Sequence, residues 1–176
     1  YMRSVWSQVR GLRIGRRVAS ELSKLVSEEY VDLMLEEWGG GKPALQVYLR
    51  DGGGIRLGDL GDGVQMLVAA MLLTELVKPR MLLWDDVESH MNPRALVWTA
   101  DWLASLAKNG IQIIVSTHSL EATRLIAESC EEANVDYSIQ LLKLEKGVLE
   151  SKKMKLEDVE KSLNAGVDVR LAEVLL

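Results

Sequence analysis

The sequence is poor in the residues that build disulfide-linked, zinc-bound or membrane-spanning proteins. Its single cysteine, Cys130, excludes a disulfide within the chain and a zinc site built from several cysteines. The most apolar segment, residues 64–77, is shorter than the roughly 20 apolar residues that a membrane-spanning helix needs. The first residues lack the apolar run and the cleavage site of a signal peptide. We therefore expect a cytoplasmic protein with no membrane partner.

Positive charge is also in short supply. The 176 residues carry 21 Lys and Arg against 26 Asp and Glu, which gives a formal net charge of −5 at pH 7. This balance excludes a uniformly basic surface that coats nucleic acid, but it leaves room for a local basic patch. Residues 1–24 form one basic stretch, with Glu21 as its acid. Nucleic acid is one partner for this stretch, although we favour a solvated helix face or a surface that joins another segment.

The rest of the amino-acid composition is typical of a globular protein. Apolar residues make up 48% of the chain and charged residues 27%, which are ordinary values for a folded domain. The length fits one domain or one large piece of a domain.

The first half of the chain predicts a helix, a strand and a buried helix. Apolar residues at helical spacing predict a helix over residues 1–38, ended by three consecutive glycines. Residues 44–50 alternate and predict a strand, followed by a short extended piece, 55–57. A glycine-rich loop then opens onto a buried helix over residues 64–77.

The second half predicts a βαβ unit. Residues 81–84 are apolar throughout and residues 111–115 are apolar except for Gln112, and a helix that begins at Pro93 and runs to about residue 108 separates the two segments. Such strands are typical of a parallel sheet that is covered on both faces. The sequence therefore predicts an α/β fold with a parallel sheet core flanked by helices. The remaining predicted elements are a helix from Ser119 to about 132, strands at 137–144 and 148–153, and a helix over 156–165.

Polar side chains follow both apolar strands. Asp85 and Asp86 come after the first, and a Ser-Thr-His sequence ending at His118 comes after the second. Ligands of open parallel sheets bind beyond the carboxyl ends of the strands. One carboxylate can hold a hydrated magnesium ion, its neighbour can orient a water, and a neutral imidazole can contact a phosphate oxygen. An acidic pair alone also fits a solvated loop, but together with His118 it favours a magnesium-nucleotide site.

Three motifs, in this order, resemble the C-terminal part of an ABC-type ATPase domain. The resemblance is to the OLD and AAA-like group, which is related to SMC heads. Residues 60–65 (LGDGVQ) look like the signature loop, and residues 81–86 (MLLWDD) look like the Walker B strand. The third motif, residues 113–119 (IIVSTHS), looks like the switch-histidine strand. Between the second and third motifs, residues 87–93 (VESHMNP) are similar to the acidic segment that follows Walker B.

The resemblance implies a partial P-loop NTPase fold of the ABC type, with ATP and Mg2+ as cofactors. Asp85 would belong to the magnesium shell, Asp86 would stand at the position of the catalytic glutamate, and His118 would contact the γ-phosphate or the attacking water. Asp86 is one methylene shorter than glutamate, which predicts slow turnover. The signature-loop residues that would contact ATP held by a second protomer are Gly61, Asp62, Gly63 and Gln65.

A P-loop with the pattern GxxxxGK[ST] does not occur in the sequence. The Gly41-Lys42 pair is followed by Pro43 and has Glu36 where the first glycine would stand. Three explanations stay open: a truncated ATPase, one half of a split ATPase, or a degenerate module without catalysis. Glu88 has two interpretations, a contact at the dimer interface or a solvated loop acid.

The sequence thus predicts a single incomplete ABC-type ATPase domain over residues 1–176. It comprises a helical and linker region (1–54), a core with the three motifs (55–135) and C-terminal strands and a helix (136–176). The predicted function is ATP binding and hydrolysis through nucleotide-dependent dimerisation. The partner is a second copy or a P-loop-bearing chain, and this chain alone is expected to be inactive. The alternatives are a regulatory or interaction module that keeps the fold, and an SMC-like DNA-handling head.

Overall fold

The computed structural model describes residues 2–26 and 28–166. The chain divides into two compact units. Among the described residues, the first unit contains those up to Pro79 together with residues 90–95, and the second contains residues 80–89 and 96–166. The elements, in chain order, are α1 (Met2–Gly11), α2 (Ile14–Leu25), β1 (Tyr30–Trp38), β2 (Lys42–Leu49), β3 (Gly54–Arg56), a 3-10 helix (Leu57–Leu60), α3 (Asp62–Val77), β4 (Met81–Trp84), α4 (Pro93–Lys108), β5 (Gln112–Val115), α5 (Leu120–Ala133), β6 (Ile139–Glu145), β7 (Val148–Met154) and α6 (Leu156–Asn164).

An antiparallel sheet with the order β1-β2-β3 forms one layer of the first unit. Helix α2 packs on this sheet with an apolar stripe of Ile14, Val18 and Leu22, and these side chains are buried together with Leu33 of β1. Gly15 lets the helix approach closely, because a Cβ at this position would collide with the carbonyl oxygen of Leu33. Helix α3 packs against α2 in the same unit.

The helix predicted over residues 1–38 is wrong in its last part. Helix α2 ends at Leu25, and the segment from Tyr30 onward is strand β1, which pairs antiparallel with β2. The three glycines close the hairpin between these strands, and all three have positive φ. The apolar residues of this segment fitted a helical period, but pairing of Leu33 with Val47 buries both of them on the sheet. The strand predicted at 44–50 and the helix predicted at 64–77 are confirmed.

The predicted βαβ unit is confirmed in the second unit. Strands β4 and β5 pair in parallel, from Met81 opposite Gln112 to Trp84 opposite Val115. Helix α4 contacts β4 through an aromatic pair. The rings of Trp84 and Trp102 lie edge to face with their centroids 6.4 Å apart. Within α4, the ring of Trp98 stacks on that of Trp102 with a centroid distance of 5.9 Å.

The expectation that this sheet is covered on both faces is wrong for the described part of the chain. Along both strands, exposed and half-buried residues alternate. Met81 is 47% exposed, Leu83 68% and Ile114 49%, and all three lie on one face. The apolar run of each strand predicted the strand itself, but sequence alone did not indicate which face of the sheet is exposed.

The C-terminal elements follow the prediction closely. Strands β6 and β7 form an antiparallel hairpin in which Ile139 lies opposite Met154. Helix α6 packs on α5 and buries Val159 completely. The α/β class is therefore confirmed. Within the described residues, every helix is too short or too polar to cross a membrane.

Candidate functional site

The polar residues at the ends of β4 and β5 form one connected cluster in the second unit. We call residues 85–89 the acidic loop and residues 116–118 the histidine loop. The parallel pairing of β4 with β5 continues one residue beyond the strands, because the Ser116 N–H donates to the Trp84 carbonyl at 2.9 Å. The two loops therefore leave the sheet side by side, as the sequence predicted for strand ends of one parallel sheet.

Ser116 joins the two aspartates of the acidic loop. Its hydroxyl donates to Oδ1 of Asp85 and accepts the backbone N–H of Asp86 at 3.1 Å. The backbone carbonyl of Ser116 also accepts the N–H of Val87 at 3.1 Å. Val87, a residue of the acidic loop, is fully buried. These contacts fix the backbone from which both carboxylates extend.

Glu88 makes a second connection between the loops. One carboxylate oxygen accepts the Thr117 hydroxyl at 2.6 Å, and the other accepts the backbone N–H of His118 at 2.8 Å. Burial raises the pKa of the Glu88 carboxyl. Hydrogen bonds from Thr117, from its own backbone N–H and from His118, with the charge of His118, outweigh burial and lower the pKa below its ordinary 4.5. The ionised form of Glu88 is therefore the form that the loops hold.

Asp86 and His118 face one another at the open side of the cluster. The distance from His118 Nε2 to Asp86 Oδ1 is 3.6 Å, and the side chains are 77% and 50% exposed respectively. Asp86 has a φ of +50°, in the left-handed region that aspartate and asparagine tolerate better than most residues. An imidazole and a carboxylate that are both open to solvent can reach a bound phosphate or a water.

Asp85 is the candidate magnesium ligand of this cluster. Across the described residues, no group of three or more His, Cys, Asp or Glu side chains could hold a metal. Magnesium in nucleotide sites keeps several waters and binds one or two carboxylates together with substrate phosphates. An exposed carboxylate beside a serine hydroxyl fits a hydrated ion of this kind, and it does not fit a metal site built from protein ligands alone.

The predicted signature-loop residues lie in the first unit, at the beginning of α3. Gly61 precedes the helix with a φ of +92°, and Gln65 Nε2 donates to Asp62 Oδ1 at 3.2 Å. Gly63 is buried, and a Cβ there would collide with the backbone carbonyl of His90. Gly63 is therefore required for packing, whereas Gly61 and Asp62 are exposed.

The basic stretch at the N-terminus is partly neutralised inside the first unit. Arg16 lies 3.4 Å from a carboxylate oxygen of Asp32, and Arg17 lies 2.8 Å from one of Glu75. The hydrogen bond from Arg17 is the main reason that the pKa of Glu75 is lowered. These contacts support the interpretation of the stretch as a solvated helix face.

Sequence reasoning identified Asp85, Asp86 and His118, and the structure brings these three together. The sequence did not indicate that Ser116 bridges the two aspartates, or that Glu88 accepts hydrogen bonds from Thr117 and His118. A signal was present in both cases: hydroxyl residues at one strand end stand across from acids at the neighbouring strand end. Which acid meets which hydroxyl depends on how the loops turn, and that is set by three-dimensional packing.

Comparison with known proteins shows the family of the chain. The family described as "AAA domain, putative AbiEii toxin, Type IV TA system" matches residues 13–123, which is more than half of the chain and includes both loops. The chain belongs to this AAA-domain family. The expected relationship to ABC-type and AAA-like P-loop ATPases is thereby confirmed.

Among individual relatives of this AAA-domain chain, an uncharacterized protein of Methanocaldococcus jannaschii is 27% identical over 113 residues, which cover 63% of this chain and 99% of that protein. An SMC ATPase structure from work on ATP-driven dimerization and DNA-stimulated activation aligns with a TM-score of 0.67 at 18% identity, covering 90% of this chain and 94% of that one.

Two SMC head domains have the same fold. The head from Pyrococcus yayanosii, with a coiled coil and joint, aligns at a TM-score of 0.63 and 18% identity, covering 90% of this chain and 30% of that one. The head from Thermotoga maritima aligns at 0.56 and 18% identity, covering 81% and 48%. The AAA-domain chain therefore has the P-loop NTPase-like fold of SMC ATPase heads.

Proposed function

We propose that this AAA-domain chain supplies the magnesium, water-activating and histidine side chains of an ATP-hydrolysing site. The observation that carries the proposal is the cluster of Asp85, Asp86 and His118 at two adjacent strand ends, with Asp86 and His118 3.6 Å apart. Phosphoryl transfer needs positioning and charge stabilisation rather than covalent chemistry from the protein. An exposed acidic pair and a histidine at the edge of a parallel sheet are suited to that task.

Each side chain of the cluster has a distinct role in this proposal. Asp85, oriented by Ser116, holds the hydrated magnesium ion, which when bound neutralises charge on the phosphates. Asp86 accepts a hydrogen bond from the attacking water and orients it. His118 donates from its imidazole to a terminal phosphate oxygen. Asp86 and His118 thus contact the water and the phosphate from two sides.

The P-loop of this site is proposed to come from outside the 176 residues, either from the same polypeptide or from a partner chain. The pattern GxxxxGK[ST] does not occur in the sequence. The exposed face formed by Met81, Leu83 and Ile114 supports this proposal. Parallel sheets are normally covered on both faces, and a strand–loop–helix segment that carries a P-loop would cover this one.

We also propose that two copies of the chain dimerise when nucleotide is bound. Gly61, Asp62 and Gln65 would contact ATP bound by a second protomer, while Gly63 keeps the loop close to the His90 carbonyl. The exposure of Gly61 and Asp62 at the beginning of α3 supports this role, because helix N-termini favour anions. A solved structure with the same fold comes from a study of ATP-driven dimerization of SMC ATPases.

A DNA-handling role has less support. One similar structure belongs to a study of DNA-stimulated SMC ATPases. However, Arg16 and Arg17 of the basic stretch are engaged in ion pairs with acids of their own unit. The net charge of −5 adds no general attraction to phosphate backbones.

The Asp86→Asn variant tests the catalytic cluster. It is assayed in the complete assembly, meaning this chain together with the polypeptide segment that carries GxxxxGK[ST]. Asparagine tolerates the left-handed backbone of this position, so the substitution removes the charge and keeps the loop. We expect ATP turnover to fall by at least about 100-fold, while Asp136→Asn, at an exposed position of the same unit, leaves turnover unchanged. Full activity of Asp86→Asn would contradict the proposed role.

A further inference from the structure

Glu88 belongs to the same cluster, but it has no role in the proposed reaction. Its side chain is neither the magnesium ligand nor the group that faces the water. Even so, both of its carboxylate oxygens are engaged, one by Thr117 Oγ1 at 2.6 Å and the other by the His118 N–H at 2.8 Å. Hydrogen bonds to an ionised group are stronger than neutral ones. A solvated loop acid would not need two such partners on a neighbouring loop.

Thr117 extends this connection into the next helix. Its hydroxyl donates to Glu88 and accepts the backbone N–H of Ser119 at 3.0 Å. Ser119 in turn caps helix α5, since its side chain accepts the N–H of Ala122. Glu88 is therefore tied to a rigid helix through one oxygen and to the backbone of His118 through the other.

We propose that Glu88 is a positioning residue, whose carboxylate holds the histidine loop against the acidic loop so that the His118 imidazole stays beside Asp86. The His118 side chain is 77% exposed, so little packing restrains it. Its direction depends on the backbone that carries it, and Glu88 binds that backbone at the residue itself. Only the catalytic consequence of this inference rests on the proposed function; the restraint on the loop does not.

Amide hydrogen exchange on this chain without nucleotide tests the restraint directly. Glu88→Ala removes both bonds, and we expect exchange at the His118 amide to accelerate at least tenfold. Glu132→Ala, at an exposed position of α5, should leave that amide unchanged. Glu88→Gln keeps an amide oxygen for the His118 N–H and should restore most of the protection. Unchanged exchange in Glu88→Ala would overturn the inference.

Thr117 provides a second pair of variants that keep the shape of the loop. Thr117→Val deletes the hydroxyl, so we expect faster exchange at His118, smaller in size than the effect of Glu88→Ala. Thr117→Ser retains the hydroxyl and should behave like the natural chain. If Thr117→Val and Thr117→Ser exchange equally, the hydroxyl has no part in the restraint and the inference is wrong as stated.

Steady-state kinetics of the complete assembly test the catalytic consequence. Glu88 does not contact nucleotide in this account, so Glu88→Ala should lower kcat on the order of 10- to 100-fold and leave the KM for ATP within about twofold. A rise in KM at constant kcat would overturn the positioning role. If the natural assembly does not hydrolyse ATP, the proposed function fails, and the exchange measurement alone still decides whether Glu88 holds the loop.

Discussion

At the scale of single residues, Asp86 combines an unusual backbone with an exposed carboxylate. Its φ of +50° is tolerated by aspartate, asparagine and glycine and is unfavourable for longer side chains. The related ATPases usually carry glutamate at this position, according to the sequence resemblance. The loop of this chain therefore offers a physical reason for the shorter acid: here the backbone conformation favours aspartate.

The Asp86→Glu variant tests that reason. We expect it to lower the free energy of unfolding by about 1 kcal/mol, because glutamate in the left-handed region costs roughly 1–2 kcal/mol. Asp86→Asn and Asp86→Gly should differ from the natural chain by less than about 0.5 kcal/mol. Urea denaturation of this chain measures all three variants. An Asp86→Glu chain as stable as the natural one would show that the loop relaxes at no cost.

Glu88 makes the stability of the chain depend on pH. Burial raises its pKa, but hydrogen bonds from Thr117, from its own N–H and from His118 lower it below 4.5 in the folded state. The carboxylate therefore stabilises the fold fully above its unfolded pKa, and this contribution is lost as the pH falls through the folded value. We expect the unfolding free energy to fall from about pH 5 to pH 3, and less steeply in Glu88→Gln. Glu132→Gln is the matched control, and an identical slope in Glu88→Gln would contradict the prediction.

At the scale of elements, periodicity predicted most of the helices and strands, and packing decided the remainder. The strands at 81–84 and 111–115 were recognisable because they are apolar apart from Gln112 and are separated by a well-capped helix. Strand β1 was mistaken for helix because its apolar residues fit both periods, and only pairing across the hairpin distinguishes them. The polar strand ends were predictable because each apolar run shows where its strand stops. The hydrogen bonds of Ser116 and Glu88 were not, because they depend on loop conformation.

The aromatic contact between β4 and α4 fixes the strand that Asp85 directly follows. Trp84 immediately precedes Asp85, and its ring meets Trp102 edge to face. We expect Trp102→Ala to lower the unfolding free energy by about 2–4 kcal/mol, because it removes a large, partly buried ring and leaves a cavity beside Trp84. Val97→Ala, at an exposed position of the same helix, should cost less than about 0.5 kcal/mol. Urea denaturation followed by tryptophan fluorescence measures both variants, and equal effects would contradict the packing described.

At the scale of the whole molecule, the AAA-domain family and the SMC-head fold establish an ATPase-like module. The sequence predicted this relationship from three short motifs whose order and spacing matter more than any one of them. The proposed domain limits at residues 54 and 135 and the cytoplasmic location stay predictions. The sequence did not reveal that one apolar face of the β4–β5 sheet is exposed within the described part of the chain, since coverage is a property of the packed molecule.

The central proposal is that the ATP site needs a P-loop from outside these 176 residues. ATP turnover, measured in parallel for this chain alone and for the complete assembly that contains GxxxxGK[ST], tests it in one experiment. We predict no turnover above background for the chain alone and magnesium-dependent turnover for the assembly. Turnover by the chain alone, or an assembly that neither binds nor hydrolyses ATP, would contradict the account.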